Sequence, residues 1–155
     1  MSYIDNNLVA GERVIFRTRK HLIIFFFPIL WTVFALYAST YINANPILVK
    51  VDWIPALLTV LFWGYVWLEY QFSEFAVTNK RVMMREGFFT RHANEMRLTA
   101  ISQVSIDQGL IGQLLNYGIV TINAFGAADS YTMIDKPGLF QRAVNEQTDL
   151  AGRVG

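Results

Sequence analysis

Residues 22–42 read LIIFFFPILWTVFALYASTYI, with no charged side chain among them. Coiled as a helix at about 1.5 Å per residue, this run reaches about 31 Å, which matches a hydrocarbon core of about 30 Å. A cleaved signal peptide is the competing interpretation. It fits poorly, because the run exceeds the roughly 7–15 residues of a signal's apolar region and the preceding segment carries Asp5 and Glu12. Pro28 lies inside the run, about two turns from its start, where a missing amide predicts a kink of the kind membrane helices tolerate.

Downstream, residues 53–70 form a second apolar block, uncharged from Ile54 to Leu68 and bracketed by Asp52 and Glu69. At about 15–18 residues it is short for a span, and a buried core helix is the alternative. Its context favours a span. Pro55 suits a first helical turn, and Trp53 and Tyr70 suit the two interfaces. Residues 43–52, with Asn43, Asn45 and Pro46, make a short turn-rich connector. Glu69 falls at the end of the block, and an interfacial position avoids the cost of burying its charge. Arg13, Arg17, Arg19 and Lys20 precede the first block and Lys80, Arg81 and Arg85 follow the second, whereas the connector has Lys50 beside Asp52. The excess of Lys and Arg on the cytoplasmic side predicts a hairpin with both termini in the cytoplasm.

Composition agrees with lipid contact. Hydrophobic residues make up 54% of the 155 and charged residues 16%, against a charged share of roughly 25% in soluble domains. The net charge of +1 gives no general attraction to nucleic acid or acidic partners. The chain has no cysteine, which excludes disulfides, thiolate nucleophiles, cysteine zinc sites and iron–sulfur clusters.

From Phe72 the periodicity changes from helical to alternating. Glu74–Thr78 reads as a strand, Asn79-Lys80 as a tight turn, and residues 81–85 as the return strand ended by Glu86-Gly87. Residues 92–96 and 100–106 continue the pattern, and 118–125 is the clearest strand. Residues 126–129 are expected to turn it back into 130–134. Asp135 is the expected N-cap of a closing helix with Pro137 in its first turn, and Leu139, Phe140, Ala143 and Val144 form its apolar stripe. One amphipathic helix over a small antiparallel sheet covers an open face. Val14-Ile15-Phe16 either adds a strand to this domain or belongs to a loose arm.

The order of these features resembles the bacterial pleckstrin-homology (PH) domain family, in particular its small membrane-anchored members. The residues that carry the resemblance begin with Leu8-x-x-Gly11-Glu12 before the first block and Phe75-x-x-Thr78-Asn79-x-Arg81 after the second. They continue with Arg85-x-Gly87, Leu98-x-x-Ile101-x-x-Val104 and Gly112-Gln113-x-Leu115-x-x-Gly118-x-Val120-x-Ile122, so that about residues 8–145 are covered. The resemblance implies a bent antiparallel sheet or partial barrel capped by a C-terminal α-helix, in a protein of the bacterial inner membrane. It implies no settled activity, since fold alone confers none. The expected architecture is a cytoplasmic N-terminal segment (1–21), transmembrane helices at 22–42 and 53–70 joined by an extracytoplasmic connector (43–52), a cytoplasmic PH-like β domain (71–150) and a tail (151–155).

No constellation for catalysis is legible. His21 marks the first interface, and His92 stands near Arg91 and Asn94 without a partner at metal-ligand spacing. There is no nucleophile elbow and no phosphate-binding loop, and Gly109, Gly112 and Gly118 are spaced for turns. An enzyme, a cofactor and a small-molecule substrate are therefore not expected. Binding remains. Arg81 and Arg85 share one strand face with Met83 between them, with Lys80 at the turn and Arg91 and Arg97 nearby. In a tethered domain these five could meet anionic headgroups, each worth roughly 1 kcal/mol. The plainer alternative is a solvated face, diluted by Glu74, Glu86 and Glu95, that keeps a sheet edge from aggregating. Nucleic-acid binding is weaker for the same reason. Ala35-x-x-x-Ser39 permits close helix contact. The leading expectation is a membrane-anchored interaction or scaffolding module, an accessory subunit or a self-assembling protein, that contacts lipids and another membrane protein or itself. The alternative is a sensor of anionic lipid headgroups.

Overall fold

The computed structural model describes residues 3–44, 49–87 and 92–154. The chain forms two units. Leu22–Gln71 makes one, and the segments before and after it together make the other.

The first unit is a helical hairpin. A 3-10 turn at Leu22–Phe25 leads into α2 (Phe26–Asn43), and a second at Val49–Val51 leads into α3 (Trp53–Gln71); α1 (Tyr3–Asn6) lies in the other unit. With those turns the helices extend over 22 and 23 residues, and both are long and apolar enough to cross a membrane. Pro28 proves to stand in the first turn of α2, not two turns inside a helix. A proline has no amide to give to the carbonyl four residues back, so regular helix starts only just before it. Pro55 lies in the first turn of α3, as its position suggests. Trp63 Nε1 donates to Thr32 Oγ1 at 2.9 Å, and Phe25 stacks on Trp63 with ring centroids 5.8 Å apart. Ala35 and Val66 are buried in the hairpin, whereas Phe27, Val33, Leu36, Val60 and Leu61 face outward.

The other unit is built on two antiparallel sheets. One has the order β1 (Val14–Thr18), β2 (Glu74–Thr78), β3 (Arg81–Glu86), β4 (His92–Arg97), and the other the order β5 (Ile101–Asp107), β6 (Tyr117–Ala124), β7 (Ala127–Asp135). Val14-Ile15-Phe16 therefore does supply a strand, and the domain includes the segment before the hairpin. Thr18 lies opposite Phe75 and Val14 opposite Thr78. The sheets join at one corner, where Lys20 bridges to Ile134, the Asp135 amide donates to the Arg19 carbonyl at 3.0 Å and the His21 amide to the Met133 carbonyl at 2.6 Å.

Between the sheets lies a core of Phe75, Val77, Val82, Met84, Val104, Val120, Ile122 and Ile134, closed by Phe140, Ala143 and Val144 of α5 (Pro137–Val154). Gln141 Nε2 donates to the Val104 carbonyl at 2.7 Å and so satisfies an outward-facing group of β5. Leu139, placed in the apolar stripe by its spacing, is instead exposed. Asp135 ends β7 and does not cap α5. Lys136 takes that place, with φ of 51°, and its carbonyl accepts from the amides of Leu139 and Phe140. The helix runs on to Val154, through the segment expected to be a tail.

The middle of the first sheet, β2 and β3, is covered on both faces. A short helix, α1 (Tyr3–Asn6), lays Ile4 over Ala76 and Met83, with Tyr3, Leu8 and Val14 beside them. This is why β2 is buried at all five positions, its central Phe75-Ala76-Val77 apolar on both faces.

Candidate functional site

Two of the motifs that carry the family resemblance, Leu8-x-x-Gly11-Glu12 and Phe75-x-x-Thr78-Asn79-x-Arg81, converge on one buried node. Glu12, from the segment before the hairpin, has a side chain with 0% exposure. Its Oε1 accepts from Thr78 Oγ1 at 2.7 Å and Arg81 Nε at 3.0 Å, and its Oε2 from the Val9 amide at 2.9 Å and Arg81 Nη2 at 2.9 Å. Burial alone would raise this carboxyl. The hydrogen bonds from Arg81, Val9 and Thr78, with the Arg81 charge, outweigh it and hold the group at about 2. The same contacts, above all the hydrogen bond to Glu12, raise Arg81 further above its ordinary value. Asn79 completes the clasp. Its Oδ1 accepts from the Arg13 amide at 2.8 Å and its Nδ2 donates to the Gly11 carbonyl at 3.2 Å. Thr78-Asn79-Lys80-Arg81 thus grips residues 7–13, and the grip is structural.

Of the five basic residues singled out for headgroups, the four described do not gather into one patch. Lys80 is exposed at the β2–β3 turn, with Nζ donating to the Ala10 carbonyl at 3.0 Å. Arg81 is held by Glu12, by Glu95 and by the Asn7 carbonyl at 2.7 Å. Arg97 lies opposite Arg81 in the β3–β4 register and is exposed. Arg85 is four residues further along β3, about 13 Å away at strand rise, and its guanidinium sits 4.8 Å over the Tyr3 ring and 5.9 Å from that of Phe72. Arg91 lies outside the described residues. Met83, between Arg81 and Arg85, is buried under α1. That strand face is therefore neither open nor solvated, and β3 is an interior strand.

The register also gives the domain two distinct ends. At one, the chain leaves through Lys20 and His21 and returns through Phe72. Here Thr18 stands opposite Phe75, Glu74 opposite Arg85, Glu86 opposite His92, and Tyr117 opposite Asp135. Lys20 Nζ meets Glu86 Oε1 at 2.6 Å at this end. Lys80, Arg81 and Arg97 lie at the other end, with the β6–β7 turn at Phe125-Gly126.

Tyr131, in the core against Phe75, is pushed up to about 12 by burial, with the charges of Asp129 and Glu86 adding to the shift and a hydrogen bond from Asn94 opposing it. Glu12 and Tyr131 are each locked in one protonation state near neutral pH, far from the range a general acid or base works in. Among the described residues no three His, Asp or Glu side chains are grouped to hold a metal ion.

Sequence reasoning missed a short helix, α4 (Leu110–Leu115), between β5 and β6. Its signal was the glycine spacing. A Cβ on Gly112 would stand 2.6 Å from the Tyr117 carbonyl oxygen, and one on Gly118 2.9 Å from that of Asp107, so both glycines serve close backbone approach.

Two antiparallel sheets closed by a C-terminal helix are consistent with a PH-like domain. Residues 21–142 match the bacterial PH domain family, and the chain belongs to it. No curated protein and no solved structure matches it. The family is one of binding modules that are in general non-enzymatic.

Proposed function

We propose that this protein is a membrane-anchored interaction module. α2 and α3 cross the cytoplasmic membrane, both termini lie in the cytoplasm, and the PH-like domain docks there on another membrane protein or a second copy. The observation that carries this reading is the pairing of β1 with β2 around two outward-facing apolar helices. Strands hydrogen-bonded to each other lie on one side of a bilayer, so the stretch between them crosses it an even number of times. Two helices of sufficient length meet that condition. The basic residues flanking the hairpin favour the cytoplasm for that side.

Protein docking is favoured over headgroup sensing because the basic residues disperse. Of the described four, Arg85 alone lies at the end where the chain leaves the domain, and it is stacked on aromatic rings. Lys80, Arg81 and Arg97 sit at the far end.

The native chain lacks cysteine, so single-cysteine variants give a clean test. With an impermeant thiol reagent on intact cells, Asn45→Cys is expected to label, and Ser2→Cys and Gly155→Cys only after permeabilisation. Labelling of either terminus without Asn45 overturns the orientation. Mild-detergent purification with mass spectrometry is expected to retain a stoichiometric partner or a homo-oligomer. A protein that emerges alone, and whose binding to anionic vesicles is lost in salt, supports the headgroup alternative instead.

A further inference from the structure

At the end of the domain from which the chain leaves, α4 turns three large apolar side chains outward. Leu110 is 87% exposed, Leu114 85% and Ile111 63%. The cause is Gly112, whose missing side chain lets the helix press its one bare position against the start of β6, so that the leucines have nowhere to go but out. Beside α4 runs an open groove of about 620 Å³, lined by Leu110, Ile111, Tyr117, Ile119 and Met133 with Asp107 as its one charged residue.

Three contacts fix where this patch stands on the domain. His21, the last residue before the apolar helices, stacks on Tyr117 with ring centroids 5.2 Å apart. The His21 amide also bonds the Met133 carbonyl, so the exit point of the chain borders the groove. Lys136 is exposed, and its amide donates to the carbonyl of Asn116 at 3.0 Å, which puts a basic residue next to the C-terminal end of α4. Apolar tips with aromatic and basic neighbours are the composition of elements that lie in a membrane interface.

We propose that α4 is a leaflet-inserting element. Leu110, Ile111 and Leu114 enter the headgroup–acyl boundary of the leaflet into which residue 22 leads, with His21 and Tyr117 level with the headgroups and Lys136 beside anionic ones. The proposal rests on the membrane-spanning reading. The bilayer is the occupant because the chain passes from this rim directly into an apolar helix, and because an apolar groove with one carboxylate suits acyl chains and not a phosphate.

The test uses the full chain reconstituted one copy per nanodisc, with nitroxide lipids labelled high on the acyl chain and an environment-sensitive fluorophore on single cysteines. Leu114→Cys reports α4, Phe34→Cys reports the hairpin, and Thr99→Cys, exposed at the far end of the domain, is the reference. Leu114, Phe34 and Thr99 are all exposed, so the variants are expected to fold. The fluorophore at Leu114 is expected to lose at least about half its emission to the nitroxide lipids while that at Thr99 is unchanged. Quenching at Phe34 with none at Leu114 overturns the proposal and leaves the spans standing. A fluorophore at Leu114 that is shielded from iodide yet untouched by nitroxide lipids assigns α4 to a protein contact, and also overturns it. No quenching at Phe34 removes the membrane reading, and the proposal with it.

Discussion

Glu12 and Arg81 meet across 69 residues of sequence that include both apolar helices, and the Arg81 guanidinium donates to both oxygens of the Glu12 carboxylate. The pair clamps the beginning of the domain to β3, its second strand after the hairpin. Removing one partner of such a pair leaves a buried charge uncompensated. Arg81→Ala is therefore expected to destabilise the β domain by about 3–5 kcal/mol. Replacing Glu12 and Arg81 together by apolar residues is expected to cost less. Amide exchange of β1 and β2 in the reconstituted protein measures both, and an Arg81→Ala protein with undiminished protection would show that the clasp holds nothing.

The Glu12 carboxyl titrates at about 2 in the folded chain, below its ordinary value of 4.5. A depressed folded value means that the unfolded chain binds the proton more readily. The contribution is complete above about 4.5 and is lost as pH falls toward about 2. Protection of β1 is expected to stay level from neutral pH down to about 5 and then fall, and Glu12→Gln is expected to flatten that fall. A wild-type decline already under way near pH 7 would contradict the assignment.

The fragment 73–155 lacks β1, α1 and Glu12, and leaves the β2 edge and Met83 uncovered. It is expected to be molten or to aggregate. Joining residues 1–21 to 72–155 through a flexible linker in place of the hairpin restores the missing pieces. That fusion is expected to be soluble with dispersed amide resonances, and the fragment is not.

Two nearby glycines separate a steric need from a turn preference. Gly112→Ala forces a Cβ to within 2.6 Å of a backbone oxygen, whereas a Cβ on Gly109 meets nothing within 4 Å. Gly112→Ala is expected to cost about 1–3 kcal/mol, and Gly109→Ala to be neutral or slightly stabilising. Thermal unfolding of the two variants side by side decides it.

Phe125 and Gly126 form the β6–β7 turn with φ of 50° and 82°, a conformation that suits Asn-Gly far better than Phe-Gly. Phe125 is 90% exposed and gains nothing from packing. Phe125→Asn is expected to stabilise the hairpin by roughly 1 kcal/mol, read as slower exchange at Ala124 and Ala127.

Much of the second sheet was legible because alternation is a two-residue signal, with Val120 and Ile122 of β6 buried between less buried neighbours. Glu74–Thr78 emerges with the bounds its residues suggest, and the hairpin's helices reveal themselves by length. α4 was not legible, since six residues are too few for a helical period to register and its leucines face no core. Leu139 misled because spacing identifies a stripe but not its width. The engagement of Arg81 was not legible for a different reason. Its partner Glu12 is distant in sequence, and nothing local to Arg81-Val82-Met83 announces that α1 will cover that face.

The strand order has a consequence for how the protein is made. β1 leaves the ribosome well before β2, and between Thr18 and Phe75 the two helices must be synthesised, which takes about 3–11 s at about 5–20 residues per second. On the proposed topology, the first strand waits unpaired in the cytoplasm until the membrane has accepted both helices. A hairpin that inserts halfway, or only one of whose helices crosses, delivers β2 to the opposite side from β1, and the sheet then cannot close. Completion of the cytoplasmic fold thus reports correct insertion, and a misinserted chain presents an open strand edge to the proteases that clear such errors.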